Sequence, residues 1–250
     1  MSRITTIAAM TLLVTTALTG CDIQTETVSH VETGAAAPIE KVIITVDIGD
    51  VVVRSSKDGT EVRTEAELQW VEQRPNLTFK RSGTSLYVTS SCKDSDPACR
   101  ADLTMTVPAL AAVTIAGGDT AIDVAVLSGA ANLSSAEGDI KLDTMYGPLT
   151  LDADQGQIHG INLRSHTASV TASDSLVDLD FKLPPDSVKI ETRDGDVRML
   201  LPIYTYNVDA QTRGVKAIGV EQSSTSPRRI SVHSVSGDIT IRPQPPAQPM

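Results

Sequence analysis

Five aspartates follow a turn residue at recurring points in this chain: Asp50, Asp119, Asp139, Asp196 and Asp238. Gathered into a row, such carboxylates could hold a hard cation such as calcium, which takes about six to eight oxygen ligands. They could equally cap turns, because an aspartate side chain accepts hydrogen bonds from nearby backbone amides. The dense glycine–aspartate spacing of calcium-binding nonapeptide repeats is missing. Capping is therefore the expectation, with no metal and no cofactor. A second chemistry would be acid–base cleavage of polysaccharide, which needs carboxylates with defined partners. Asp152, Asp154 and Arg164, or Asp178 and Asp180, are the candidates, but no spacing singles them out. No catalytic residue is assigned, and the chain is not expected to be an enzyme. His30, His159, His166 and His233 form no ligand pair at helical or hairpin spacing. Trp70 and the tyrosines Tyr87, Tyr146, Tyr204 and Tyr206 could stack on a sugar. Trp70 ends an alternating strand and reads as core or rim packing.

The cysteines divide into one and two. Residues 1–20 read as a signal peptide: Arg3 supplies the positive end, and Ile4 to Leu18 is apolar but too short for a membrane span. Leu18-Thr19-Gly20-Cys21 resembles the bacterial lipobox, in which the cysteine is acylated and becomes the new N-terminus. An ordinary cleaved leader followed by a chance cysteine is the alternative. Two or more acyl chains, at about 0.8 kcal/mol per buried CH₂, would hold the mature chain stably on a membrane. By resemblance to Gram-negative lipoproteins, Asp22 implies retention at the inner membrane, facing the periplasm. Cys92 and Cys99 flank a charged loop, SSCKDSDPACR. In an exported protein the expectation is a disulfide. Zinc is the competing reading, but two thiols seven apart without a paired histidine make a poor site.

Segment 21–40 is polar, small and aperiodic, and reads as a flexible stalk. Segment 243–250, with Pro243, Pro245, Pro246 and Pro249, reads as a disordered tail, since proline cannot donate to a strand ladder. The body is 41–242. Hydrophobic residues make up 40% of the chain and aromatics 3%, so its core must be built from aliphatic side chains, which suits strands. With Arg3 gone, 20 basic residues face 31 acidic ones, a net charge of −11. That argues against nucleic acid and against electrostatic adhesion to anionic lipid.

A recurring phrase must position the aspartates. Aligned on a turn residue, it appears around Gly49, Gly118, Gly138, Gly156, Ser175, Gly195 and Gly237. Five residues earlier stand Ile44, Val113, Leu133, Leu151, Val170, Ile190 and Val232; two residues later stand Val51, Thr120, Ile140, Ile158, Val177, Val197 and Ile239. Offsets of five and two have opposite parity, which a straight strand cannot satisfy if all these side chains face one way. Each phrase is therefore strand, corner, strand, and glycine is expected to supply a positive φ at the corner. From Gly118 the turn residues are spaced 20, 18, 19 and 20 apart, and then 42 from Gly195 to Gly237, with a degenerate unit around Gly214 between them. A period near 20 predicts an all-β fold: a β-solenoid, that is, a single-stranded β-helix, with stacked coils about 20 residues long. A β-sandwich of short hairpins is the alternative. Residues 57–107 lack the phrase and predict antiparallel strands, including a hairpin at Ser82-Gly83, that cap the N-terminal end.

Val107-Pro108, VTIAGGDTAIDV, the serial Gly-Asp phrases, LPP near 183–185 and YNVDAQT at 206–212 together resemble a bacterial β-strand-repeat family over residues 40–242. That family is a domain of unknown function described as a "putative adhesin". The resemblance implies the fold and offers no catalytic residues to carry over. It implies a non-catalytic, lipid-anchored envelope protein used for adhesion, binding or scaffolding, with an unknown protein or glycan ligand. An accessory envelope-stress lipoprotein acting through a protein partner is the rival. A polysaccharide-active β-helix enzyme is the third reading.

Overall fold

The computed structural model describes residues 23–33, 37–56, 59–93 and 96–245. The leader, Cys21, Asp22 and residues 246–250 lie outside them. The described residues form 22 strands in two eleven-stranded sheets. First come β1 (Gln24–Glu32), β2 (Lys41–Ile48), β3 (Val51–Ser56), β4 (Val62–Trp70), β5 (Asn76–Ser82), β6 (Ser85–Ser91) and β7 (Arg100–Pro108). The phrases then supply strands in pairs: β8 (Ala112–Asp119) with β9 (Ile122–Ala125), β10 (Ala131–Glu137) with β11 (Ile140–Asp143), and β12 (Leu149–Gln155) with β13 (Ile158–Leu163). Next are β14 (Thr167–Ala172) with β15 (Val177–Phe181) and β16 (Ser187–Thr192) with β17 (Val197–Leu201). The chain closes with β18 (Thr205–Gln211), β19 (Lys216–Ile218), β20 (Glu221–Gln222), β21 (Arg229–Ser234) and β22 (Ile239–Pro243).

Sheet I runs β1-β4-β7-β3-β9-β11-β13-β15-β17-β22-β19, and sheet II runs β20-β18-β21-β16-β14-β12-β10-β8-β2-β6-β5. Each phrase places its first strand in sheet II and its second in sheet I. Like strands then pair in parallel with their counterparts in neighbouring phrases. Antiparallel pairing is confined to β1–β4, β4–β7 and β5–β6, at the N-terminal end.

The reason is the aliphatic pattern. Ile44, Ile115, Leu133, Leu151, Val170, Ile190 and Val232 are successive Cα partners across sheet II. Val51, Ile122, Ile140, Ile158, Val177, Val197 and Ile239 are their counterparts in sheet I. All fourteen are 1% exposed or less and belong to one core cluster. Burying each such side chain contributes about 1.5–3 kcal/mol, so the two columns fix the register.

The second phrase departs from expectation by two residues. Ile115 and Ile122 occupy the columns, so Thr120 takes the corner slot expected for Gly118, and Ala121 stands where Asp119 was expected. A slip of two keeps every side chain on its own face, so alternation alone could not detect it. Glycine's role at the corner also differs. Of the six turn glycines, Gly49 (φ +137°) and Gly156 (φ +102°) have positive φ. At Gly138, Gly195 and Gly237 the constraint is close approach. A Cβ there would lie 2.0, 1.8 and 2.1 Å from the carbonyl oxygens of Thr120, Ser175 and Gly195 respectively, in the adjacent phrase. At the far corner, Val126, Thr144 and Asn162 share the left-handed conformation, at φ of 59°, 55° and 54°. Such backbone is strained for the β-branched Val126 and Thr144 and easier for Asn162.

At both ends chain order and spatial order part. β21 and β22 insert between β16–β17 and the degenerate unit β18–β19, beyond which only the two-residue β20 is added, at the edge of sheet II. β2 and β3 likewise lie between β8–β9 and β6–β7. The expected flexible stalk is corrected over residues 24–32. These form β1, antiparallel to β4, with Glu26, Val28, His30 and Glu32 on its half-buried side. The expected disordered tail is corrected at its start. β22 runs through Pro243, opposite Leu201, and the Gln244 N–H donates to Leu201 O at 2.8 Å. A proline at a strand's last position removes no bond from the ladder's interior.

Candidate functional site: corner carboxylates and outward faces

The corner aspartates bond from phrase to phrase. Asp139 Oδ1 accepts the Gln157 N–H at 2.9 Å, Asp196 Oδ1 accepts the Asp238 N–H at 2.9 Å, and Asp238 Oδ1 accepts the Val215 N–H at 2.7 Å. Asp50 donates its own N–H to Asp102 Oδ1 at 2.8 Å, so Asp102 fills the same role on the layer beyond. Asp119 stands apart from this row: it is opposite Ile48, and its backbone carbonyl accepts the Gly49 N–H. Charge-assisted bonds of this kind satisfy amides that the bend removes from the strand ladder. Buried hydroxyls finish the corner: Ser135 Oγ donates to Thr120 O at 2.7 Å, and Ser234 Oγ accepts the Gly237 N–H at 2.9 Å. Among the described residues, no group of three or more His, Cys, Asp or Glu side chains is arranged to hold a metal ion.

Cys92 and Cys99 form a disulfide, with Cα atoms 5.7 Å apart. Their loop occupies the β6–β7 connection, where a phrase would have its corner. Within it, Asp96 is 4% exposed and gathers the N–H groups of Glu72 (2.7 Å), Gln73 (2.8 Å), Val71 (3.0 Å) and Ala98 (3.1 Å). These amides, Gln73's foremost, hold its carboxyl below the usual aspartate range. The disulfide loop is thereby tied to the connection between β4 and β5.

The polysaccharide-cleaving candidates are dispersed. Asp152 and Asp154 belong to β12 in sheet II, and Asp154 accepts from Ser173 Oγ at 3.2 Å. Arg164 follows β13 of sheet I and lies over the Tyr146 ring, 5.6 Å from its centroid. Asp178 and Asp180 both face outward on β15, Asp178 toward His159 at 3.8 Å and Asp180 toward Lys182 at 2.8 Å. The histidines are scattered as well. His166 meets Asp186 at 3.1 Å, His233 is the Cα partner of Glu191, and His30 stacks on Phe79 with ring centroids 4.1 Å apart. Burial lowers the His30 pKa, opposed by Glu32. Trp70 packs partly buried against the core. Tyr206 is fully buried and donates to Pro202 O at 3.0 Å; burial pushes its pKa up to about 12.

The outward faces differ in chemistry. In sheet II, one outward column over β6, β2, β8, β10, β12 and β14 carries Tyr87, Ile43, Thr114, Asn132, Thr150 and Ser169. The other carries Thr89, Thr45, Ala116, Ser134, Asp152 and Thr171. One of these twelve, Asp152, is charged. The matching strands of sheet I, β7, β3, β9, β11, β13 and β15, carry Thr104, Val52, Asp123, Lys141, His159 and Asp178 in one column. Thr106, Arg54, Ala125, Asp143, Ile161 and Asp180 follow in the other. Six of these twelve are formal charges, four acidic and two basic, and one pair forms among them: Arg54 clasps Asp123 at 2.7 Å. The Asn162 amide, then Thr144 Oγ1, then the Arg54 charge hold the Asp143 carboxyl below the usual range.

The family model described as Toastrack DUF4097 matches residues 98–242, more than half of the chain. The chain belongs to the Toastrack DUF4097 family. The Toastrack match begins inside the disulfide loop and takes in every phrase from β8 onward, leaving β1 to β6 before it. Solved structures similar to this Toastrack chain include one described as a "putative adhesin" from Bacteroides fragilis, at 17% identity, covering 88% of this chain and 97% of that one, with a TM-score of 0.48. Another, described as a "putative cell adhesion protein" from Clostridium sporogenes, is 16% identical over 88% of this chain and 100% of its own, with a TM-score of 0.39. A "putative lipid binding protein" from Parabacteroides distasonis is 11% identical over 87% and 96%, with a TM-score of 0.45. No curated protein matches the chain.

Sequence reasoning passed over Asp96 and the outward columns of sheet II. Asp96 carries no local signal, because three of its amide partners lie more than twenty residues away. The outward columns were visible as the polar half of each alternation, in Thr114, Asn132, Thr150 and Thr171, but only the pairing register lines them up.

Proposed function

We propose that this chain is a non-catalytic, lipid-anchored protein of the bacterial cell envelope, with a β-solenoid body that presents a binding surface. The observation that carries this reading is the use of the corner carboxylates. Asp139, Asp196 and Asp238 each accept a backbone N–H of a neighbouring phrase, so the residues with the most chemical potential are engaged in holding the stack. The solenoid reading is supported by phrases that alternate between two sheets and add in parallel, in register. The side chains left over for a partner are those on the outward sheet faces. The anchor rests on the sequence: a leader ending at Cys21, with Asp22 next in favour of the inner membrane and a periplasmic body.

The test is fractionation of the Cys21→Ala chain, with labelled palmitate as a second readout. The native chain is expected in the membrane fraction and labelled, the variant soluble and unlabelled. A variant that stays in the membrane fraction contradicts the anchor.

A further inference from the structure

The two outward faces divide the protein's chemistry. On sheet I, the two outward columns carry four acids and two bases, with Arg54 paired to Asp123 at 2.7 Å and His159 facing Asp178 at 3.8 Å. On sheet II, six successive strands present hydroxyl, amide and small side chains with a single acid, Asp152. A protein with 31 acidic and 21 basic residues has kept nearly all of them off the middle of this face. Charge returns at its rim, in Lys41 on one side, Asp47 and Asp154 on the other, the Lys189–Glu191 pair on β16 and Lys80 on β5, the Cα partner of Tyr87. The Thr45, Thr89, Thr114, Ser134, Thr150 and Thr171 hydroxyls bond no other protein group among the described residues.

We propose that the outward face of sheet II, from Tyr87 on β6 to Ser169 on β14, is a docking surface for a neutral polysaccharide lying across the strands. This rests on the reading of the protein as a surface-presenting envelope protein and names the face and ligand class. Charge selects the class. A polyanion would meet an acidic protein with no basic residue in the two columns, and a cation would find one carboxylate. Tyr87 and Ile43, on the adjacent strands β6 and β2 at one end, are the face's large apolar groups, and the rest of it lacks the aromatic and arginine anchors that protein interfaces favour. A sugar hydroxyl both donates and accepts, as do serine and threonine hydroxyls, so the two surfaces are complementary without net charge. The face is also periodic. Rows recur about every 4.8 Å across the strands, so a polymer with repeating hydroxyls could engage many rows at once, each weakly. Tyr87, 40% exposed at one end, offers a ring on which a sugar face can stack.

The test is co-sedimentation of the detergent-solubilised full chain with cellulose, insoluble β-1,3-glucan and starch, with the anionic polymer pectate as comparison. The chain is expected to be retained by at least one neutral polymer, to survive a wash in about 0.5 M salt because no ion pair is involved, and to leave pectate unbound. Thr114→Glu with Thr150→Glu should weaken retention roughly tenfold or more, about 1.4 kcal/mol per tenfold. Lys141→Ser on sheet I should leave it unchanged. Asn132→Lys with Ser169→Lys, at exposed positions, repeats the test should the first pair disturb folding. Retention by none of the neutral polymers, or retention indifferent to both sheet II pairs, overturns the proposal. Either result leaves the membrane anchor standing, because fractionation of Cys21→Ala tests that separately.

Discussion

The middle of this molecule and its two ends are built differently. Between β10–β11 and β16–β17 every layer repeats one solution: an aliphatic residue in each column, a corner built on a glycine or, between β14 and β15, on the buried Ser175, and neighbours added in parallel. Each end improvises. At the N-terminal end, β1 and β5 close the stack through Arg74–Glu26 at 2.6 Å, Arg81–Glu32 at 2.9 Å and the His30–Phe79 stack. The disulfide loop, clamped by Asp96, stands in for a corner there. At the C-terminal end the outermost strands β19 and β20 have three and two residues, and the inward-facing Val208, Ala210 and Ile218 are only partly buried. Repetition secures the interior of a stack, whereas its last layers expose core side chains and strand edges that need dedicated covers.

Substitutions in the middle should break the fold most severely. Gly195→Val would drive a side chain into the Ser175 carbonyl, 1.8 Å from the new Cβ. It is expected to cost about 3 kcal/mol or more through overpacking, read as a collapse of the denaturant midpoint. Leu133→Ala, at a fully buried column position, should cost about 2–5 kcal/mol. Val208→Ala at the half-covered C-terminal end should cost below about 1 kcal/mol. Equal losses at the two sites would erase the distinction between middle and end.

The N-terminal end should respond to reductant and acid. Opening the Cys92–Cys99 loop should remove about 2.5 kcal/mol in the loop-entropy model, and an unchanged melting temperature with and without reductant would refute that. The pH effects are smaller. Asp96 has a lowered folded pKa, so its stabilising contribution is present above the unfolded aspartate pKa and is lost as pH falls through the folded value. The melting-temperature gap between wild type and Asp96→Asn should therefore be open at pH 6 and should close under strong acid; a constant gap counts against the clamp. His30 is also lowered, by burial, so the unfolded chain takes up its proton first as pH falls below its ordinary value of 6.5. Wild type should lose slightly more stability than His30→Gln between pH 7 and 5. Superimposable curves would remove His30 from the seal.

Much of the middle was legible in the sequence, and the reason is parity. Aliphatic residues five before and two after each turn residue demand a bend, and strands β10 to β17 flank bends at those positions. The slip at Thr120 was hidden because Val113 and Ile115 are both aliphatic and face the same side. The ends were less legible because their partners are distant in the chain. In β1 the half-buried positions hold Glu26, His30 and Glu32, which read as a solvated stalk until Arg74, Arg81 and Phe79 are brought opposite them. The Asp139, Asp196 and Asp238 carboxylates were recognisable as caps, but the amides they accept lie 18, 42 and 23 residues away.

The most direct test of the stacked, inserted order uses engineered cysteine pairs on sheet II in the Cys21→Ala background. Lys189 and Ser231 are Cα partners although 42 residues apart, while Asp209, only 20 residues from Lys189, lies one strand further on. Adjacent strands are about 4.8 Å apart and next-but-one strands about twice that, and a disulfide spans Cα separations of about 4.4–6.8 Å. Oxidation is predicted to join Lys189→Cys to Ser231→Cys and to leave Lys189→Cys with Asp209→Cys unjoined. Efficient closure of the second pair in place of the first would mean that the layers follow chain order, contradicting the fold described.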